Sequence, residues 1–312
     1  MESVLIIVGP TASGKTKLSI ELAKDLNGEI ISADSMQLYR FMDIGTAKPD
    51  KEEMSGIRHY LIDEVNPDVE FSVAKYQELA LQYIQEVLEK GKLPIVVGGT
   101  GLYVNSLIYN INFSETIIDW EFREKLKKEA EEKGNEYLHN KLREIDQESA
   151  QKLHVNDIKR IIRAIEVYEY TKKPISYHQE ISRQNPPSYN FIVIGLRMDR
   201  DKLYQRINQR VDLMMEKGLM QEVQSLIESG YDKNTVAMQG IGYKEMLAHL
   251  RGEISLEEAV DLIKVGSRHY AKRQITWFKR LENIFWIDVD EKTEAIDLVK
   301  IIHKHIASSG II

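Results

Sequence analysis

The sequence predicts an α/β fold, a parallel sheet covered by helices on both faces, and three features carry that prediction. The apolar run Val4-Leu5-Ile6-Ile7-Val8 leads straight into Gly9-Pro10-Thr11-Ala12-Ser13-Gly14-Lys15-Thr16. That octet matches the G-x-x-x-x-G-K-[ST] phosphate-binding loop and stands between a buried strand and a helix, as such a loop must. Short apolar runs alternate with helical periodicity through the first third of the chain and resume near residue 191, the pattern of strand–helix–strand units in a parallel sheet. Between those regions the strand signals vanish. The expectation is therefore a P-loop NTPase-like core, discontinuous in sequence (residues 1–114 and 191–312, the latter with C-terminal helices), interrupted by a mostly helical insertion at 115–190.

Each element has its own warrant. After the Val4–Val8 strand and the loop, Leu18, Leu22 and Leu26 recur four apart and mark one helix face. Glu29–Ala33 reads as a second strand, followed by a polar turn and a strand at Ile57 to Ile62. From Val73 to Lys90, Tyr76, Leu79, Ala80, Tyr83, Ile84 and Val87 keep a 3.6-residue period, with Ser72 at the N-cap and Gly91 just past the end. Pro94-Ile95-Val96-Val97 is a short buried strand ending in Gly98-Gly99-Thr100-Gly101. From about Ile117 to Glu180 charged helical stretches take over, broken at Gly134 and Pro174. Phe191 to Leu196 restores a buried strand. Asp201 to about Lys217 is a helix with Leu203, Ile207 and Val211 inward, and Ile284 to Asp288 is a last strand. No internal repeat or low-complexity linker is present.

Composition narrows the functional classes. The 312 residues are 43% apolar and 29% charged, ordinary for a globular protein. No stretch approaches the run of about 18 apolar residues that spans a bilayer, and the N-terminus runs directly into the first strand. There are no cysteines, which excludes disulfides and zinc–thiolate sites; a cytoplasmic location is expected. A net charge of −7 argues against indiscriminate coating of nucleic acid. Two basic segments nevertheless stand out: Lys159-Arg160 with Arg163, and Arg268 to Arg280, which carries Tyr270, Trp277 and Phe278 among its cations and no carboxylate. Such segments are either solvated faces or an RNA-binding surface.

The loop dictates a pyrophosphate-bearing ligand. Successive N–H groups at a helix N-terminus form a positive concavity, Lys15 adds a point charge, and the Thr16 hydroxyl can ligate Mg²⁺. In an open parallel sheet the ligand lies beyond the carboxyl ends of the strands, so Gly9–Thr16, Asp34-Ser35 and Gly98–Gly101 should meet there. Asp34 then lies beside a phosphate chain, open to three roles: holding water in a Mg²⁺ shell, acting as a general base, or serving as a turn carboxylate. Thr100 can hydrogen-bond a nucleophile or a phosphate, or simply form a turn. Arg206 and Arg210 share a helix face and either can reach a leaving pyrophosphate. Lys48, in Thr46-Ala47-Lys48-Pro49, is open in the same way.

These segments resemble a known family. Gly9–Thr16, Ile31-Ser32-Ala33-Asp34-Ser35-Met36-Gln37-Leu38-Tyr39-Arg40, Met42-Asp43-Ile44-Gly45-Thr46-Ala47-Lys48-Pro49 and Val97-Gly98-Gly99-Thr100-Gly101-Leu102-Tyr103 are similar to those of the tRNA dimethylallyltransferases. The likeness continues, in order, through Arg160-Ile161-Ile162-Arg163-Ala164-Ile165-Glu166-Val167, Gly240-Ile241-Gly242-Tyr243-Lys244-Glu245 and Ala271-Lys272-Arg273-Gln274-Ile275-Thr276-Trp277. It implies transfer of a dimethylallyl group from dimethylallyl diphosphate to N6 of the adenosine 3′-adjacent to the anticodon (position 37), with diphosphate leaving. It also implies a diphosphate held by Gly9, Pro10, Thr11, Ala12, Ser13, Gly14, Lys15, Thr16 and Arg210, with Mg²⁺ on Thr16. Asp34 becomes the general base, Thr100 orients the reactants, and the insertion binds the anticodon stem. By the same resemblance Asp34, Ser35, Met36, Gln37, Thr100, Arg123, Lys159, Arg160, Ile161, Ile162 and Arg163 would contact tRNA. So would Gln239, Gly240, Ile241, Gly242, Tyr243, Lys244, Lys272, Arg273, Gln274, Trp277 and Lys279. The family's usual glutamine before Arg160 is Lys159 here, and the C-terminal zinc finger of some relatives is impossible without cysteine. A monomer acting on the tRNA anticodon stem-loop is expected.

Two other readings compete. A small-molecule or nucleoside kinase would place ATP on the same loop and needs an arginine-rich lid. An RNA-binding switch that hydrolyses a nucleotide without modifying its partner needs loops ordered around a γ-phosphate, which nothing in the sequence marks.

Overall fold

The computed structural model describes residues 2–111, 119–184, 186–290 and 292–308. They form two compact units, Met1–Val104 with Tyr189–Ile312, and Asn105–Ser188. The expected boundary at 114/115, and the start of the helical region near Ile117, lie outside the described residues; the boundary expected at 190/191 falls two residues past the division.

The first unit is built on six strands: β1 (Ser3–Val8), β2 (Gly28–Ser32), β3 (His59–Tyr60), β4 (Leu93–Gly98), β5 (Asn190–Arg197) and β6 (Ile284–Asp288). They form one sheet in the order β3-β2-β4-β1-β5-β6, every neighbouring pair parallel. Residues Val4 to Val8 are fully buried because both faces of β1 are covered. Leu5 and Ile7 point into a core that also holds Leu18, Leu22, Ile194, Leu196, Ile302 and Ile306. Those partners come from α1 (Lys15–Asp25), from β5 and from the C-terminal helix Ala295–Ser308. Against β2 and β4 packs α2 (Val73–Glu89), whose buried stripe is Tyr76, Gln77, Ala80, Ile84 and Val87. Ser72 accepts the Lys75 N–H and starts this helix, as its N-cap chemistry predicts. The strand expected at Ile57 to Ile62 shrinks to two residues, because Leu61 and Asp63 turn to φ +58° and +56° at the sheet edge.

The second unit is helical throughout its described residues. After α3 (Gly101–Ile108), which leads into it, come α4 (Trp120–Lys133), α5 (Asn135–Ile145), α6 (Gln147–Lys152), α7 (Ile158–Thr171) and α8 (Ile175–Gln184). Leu126, Leu138, Leu142, Ile161, Ile162 and Ile165 make its core. Gly134 and Pro174 lie at breaks between helices, as expected.

The sequence leads to C-terminal helices but bounds none between Lys217 and Ile284. The structure has three helices there: α10 (Leu219–Glu228), α11 (Tyr243–Leu250) and α12 (Leu256–Phe278), following α9 (Arg200–Glu216). The last begins at a capping box in which Ser255 accepts the Glu258 N–H and Glu258 accepts the Ser255 N–H.

Candidate active site

The register of the sheet brings the loops together. Val8 lies beside Gly98 in the β1–β4 pair, and Ser32 beside Val97 in the β2–β4 pair, so the chain leaves three adjacent strands at one level. Beyond β1, Gly14 takes φ +92° at the start of α1, a left-handed turn that aims the following amides at a common point. Lys15 folds back over this loop and donates to the carbonyls of Gly9 at 2.9 Å and Pro10 at 2.7 Å. Burial, then the nearby Arg210 charge, lower its pKa to about 7, against a smaller opposing effect of Asp34. Lys15 is half-buried, and its strongest charged neighbour is another cation, so an anion placed there is attracted by both. Ser13 Oγ is buried and has no hydrogen-bond partner among the described residues.

Asp34 and Thr100 arrive from β2 and β4. Asp34 Oδ1 accepts the Met36 N–H at 2.9 Å, so the turn role is present and fixes the carboxylate. Thr100 Oγ1 accepts the Ser35 N–H at 3.0 Å, and the Thr100 N–H bonds the Ala33 carbonyl at 3.1 Å. Arg210 reaches across from α9 to Thr11 Oγ1 at 3.4 Å; burial and then Arg206 hold its pKa below the usual arginine value. Thr11, Lys15, Thr16, Asp34, Arg206 and Arg210 line one cavity of about 500 Å³.

A second cavity of about 310 Å³ shares Thr11, Asp34, Thr46, Ala47, Arg210 and Tyr270 with the first. Its other walls include Ile207, Val211, Met214 and Ile263, Met36 and Ile241, and also Tyr243 and Arg273. Gln37 lines the first cavity. Asp34 thus stands where a cavity lined by the Gly9–Thr16 loop and its cations meets a more apolar one.

One residue that the sequence does not single out as a site residue belongs here, and one of its candidates is joined to the site. Tyr270 lines both cavities, with its hydroxyl next to Thr100 and Gln274; burial first and the Asp34 charge second push its pKa up to about 12. Arg206 joins Arg210, as their shared face allowed. The aromatic spacing in Arg268–Arg280 was the available signal for Tyr270, but it was read as an RNA face.

Several expected RNA contacts are placed otherwise. Tyr243 is fully buried and donates to Glu222 Oε1 at 2.7 Å. Ile161 and Ile162 are core residues of the helical unit, so that α7 can present only neighbours such as the exposed Lys159 and Arg160. Arg123 forms a two-pronged pair with the fully buried Glu166, both bonds at 2.8 Å, and Arg163 also pairs with it. Gln274 is buried between two loops of the site. Lys244, Lys272, Arg273, Trp277 and Lys279 are exposed.

The segment Met42–Pro49 is a strapped wall of both cavities. Glu222 accepts the N–H groups of Asp43, Ile44 and Gly45 at 2.9, 2.7 and 3.1 Å. Lys48, its side chain 5% exposed, pairs with Asp43 and Asp63 at 2.6 Å each. The open role of Lys48 resolves to a structural one.

Among the described residues no three His, Cys, Asp or Glu side chains are grouped to hold a metal. Mg²⁺ asks less of a protein, one or two oxygens with the rest from phosphates and water, and Thr16, exposed and lining the first cavity, fits that demand. No described helix is long and apolar enough to cross a membrane. The arrangement suits a group transfer in which a phosphate chain departs into a cationic cradle while a carboxylate faces the acceptor.

Comparison with known proteins agrees. Residues 37–281 match the family described as IPP transferase. The tRNA dimethylallyltransferase of Acetivibrio thermocellus is 67% identical over 311 residues, covering 100% of this chain and 99% of that protein. That of Clostridioides difficile is 53% identical, covering 95% and 94%. Among solved structures, the tRNA isopentenylpyrophosphate transferase of Bacillus halodurans aligns with a TM-score of 0.73 at 45% identity, over 99% of this chain and 98% of that one. A eukaryotic dimethylallyltransferase acting on tRNA aligns with a TM-score of 0.83 at 29% identity, over 99% and 80%.

Proposed function

The chain belongs to the IPP transferase family, and on that premise we propose that it transfers a dimethylallyl group from dimethylallyl diphosphate to N6 of an adenine in the anticodon loop of tRNA, 3′ of the anticodon. The observation that carries this reading is the position of Asp34 at the junction of the cationic cavity and the more apolar one. An exocyclic adenine amine is a weak nucleophile because its lone pair is delocalised into the ring. As its nitrogen bonds the allylic carbon, the carbon–oxygen bond to diphosphate breaks, and the Asp34 carboxylate takes the N6 proton. Negative charge grows on the departing oxygens, so Lys15, Arg206, Arg210 and the loop amides stabilise the transition state more than the bound substrate. Thr16 and the diphosphate would together hold Mg²⁺, which supplies further charge neutralisation when bound.

An adenine stacked in the loop is out of reach, so it enters unstacked. The second cavity, with Met36, Ile241 and Tyr270 among its walls, suits a flat aromatic base. Exposed Lys272, Arg273 and Lys279 offer phosphate contacts, and Lys159 and Arg160 offer the same on the helical insertion.

The test is incubation with tRNA, Mg²⁺ and radiolabelled dimethylallyl diphosphate. Label on the tRNA adenine is the expected result. Phosphate transfer from ATP without prenylation would support the kinase reading instead.

A further inference from the structure

Helix α12 has two faces with different tasks. Lys272, Arg273 and, just past its end, Lys279 are exposed. Tyr270, Gln274 and Trp277 share another face, spaced four and three residues apart, and each meets a loop of the active site; Arg273 lies at the edge of that face, against the Tyr270 ring and in the wall of the second cavity. The Tyr270 hydroxyl lies next to Thr100 and Gln274. The Trp277 ring lies so close over Gly101 that a Cβ there would come within 2.3 Å of it. Gln274, 5% exposed, accepts the Thr11 N–H on Oε1 at 2.8 Å and donates from Nε2 to the Gly99 carbonyl at 3.0 Å. Gly99 also needs its bare α-carbon, since a Cβ would lie 2.0 Å from Gln274 Nε2.

The chemistry of that bridge is specific. It requires one acceptor and one donor at the end of the same side chain, both away from water, which an amide supplies and a carboxylate or ammonium does not. Strands β1 and β4 are held by their ladder only as far as Val8 and Gly98, so beyond that level the two loops depend on such ties. One loop grips the leaving group and the other carries Thr100.

We propose that Gln274 is a positioning residue for the prenyl transfer, tying the phosphate loop to the Gly98–Gly101 loop, and not a contact to RNA. The inference rests on the proposed reaction and deepens it, because it moves a residue of the basic helix into the framework that keeps diphosphate and Thr100 in register. A misplacement of about 1 Å costs on the order of 100-fold in rate.

Two variants of the full chain test it. Gln274→Met keeps the volume and removes both bonds. Gln274→Glu keeps the bond from Thr11 but sets a carboxylate against the Gly99 carbonyl, a repulsion that one proton converts into a hydrogen bond. Gln274→Met should lose about 10- to 100-fold in kcat with its Kd for tRNA unchanged. Gln274→Glu should be similarly impaired near pH 8 and regain turnover toward about pH 6, as a buried carboxyl facing a carbonyl takes up its proton early. Weakened tRNA binding with wild-type kcat, or a Gln274→Glu pH profile like the wild type's, would overturn the proposal. Hydrogen exchange at the Thr11 amide supplies a readout apart from activity: it should accelerate in Gln274→Met, and unchanged protection would also overturn the proposal. Should Gln274→Met fail to fold, Gln274→Glu still carries the pH profile of turnover and the Kd for tRNA, either of which can overturn the proposal. If the wild-type chain prenylates no tRNA, the functional reading fails while the Thr11 exchange still decides for or against Gln274.

Discussion

Asp34 shows how much chemistry rests on one carboxylate held in a turn. Its Oδ1 is fixed by the Met36 amide, so Asp34→Asn preserves that bond through the amide oxygen and removes only the basicity. Turnover should fall by about two to four orders of magnitude with tRNA and prenyl-donor affinities unchanged; near-normal turnover would remove Asp34 from proton transfer. The phosphate loop and Asp34 were legible in the sequence, because a contiguous motif and the strand-end rule for parallel sheets place them. Tyr270 and Gln274 were not. Gln274 bonds Thr11 across 263 positions, and a helix of mixed cations and aromatics reads the same whether its aromatics face RNA or the protein's own loops.

At the scale of elements, the strands were legible wherever burial on both faces produced continuous apolar runs, as in β1, β4 and β5. The wall Met42–Pro49 was legible only as a family segment, since its order comes from Glu222, 177 to 179 residues away. Glu222→Gln replaces an acceptor of three amides and a tyrosine hydroxyl with a group that must turn a donor toward some of them. We expect a loss of about 1–3 kcal/mol in stability and faster hydrogen exchange at Asp43, Ile44 and Gly45; unchanged exchange there would mean that the loop orders itself. On α12, replacing the exposed Lys272 and Arg273 by alanine should weaken tRNA binding and flatten the slope of log K against log salt by about 0.7–0.9 per lost contact. An unaltered slope would leave these side chains in bulk solvent.

On the scale of the whole molecule, the helical unit has an electrostatic centre of its own. Burial alone would push the Glu166 carboxyl up, but the Arg123 fork, the Asp119 amide and Arg163 outweigh it and hold the group below the ordinary glutamate range. The stability it lends is therefore complete above the unfolded value of about 4.3 and is lost as pH falls through the lower folded value. Urea unfolding at a series of pH values should show Glu166→Gln less stable at neutral pH and with a shallower decline below about pH 4.3. An identical acid limb in the two proteins would show that Glu166 does not titrate differently on folding. The helical character of this unit was legible from vanishing strand signals and breaks at Gly134 and Pro174. Its internal ion pairs were not, because arginines on amphipathic helices look alike from outside and inside.

The parallel sheet also bears on how the chain is made. β1 sits between β4 and β5, and all of Asn105–Ser188 must leave the ribosome before β5 does. A half-synthesised chain accordingly displays a greasy strand with one flank bare, the kind of edge that invites pairing with a stranger. The intervening helices, rich in near-neighbour contacts, fold quickly. Covering that flank waits on translation to residue 197, and β5 in turn keeps a bare flank until β6 ends at residue 288.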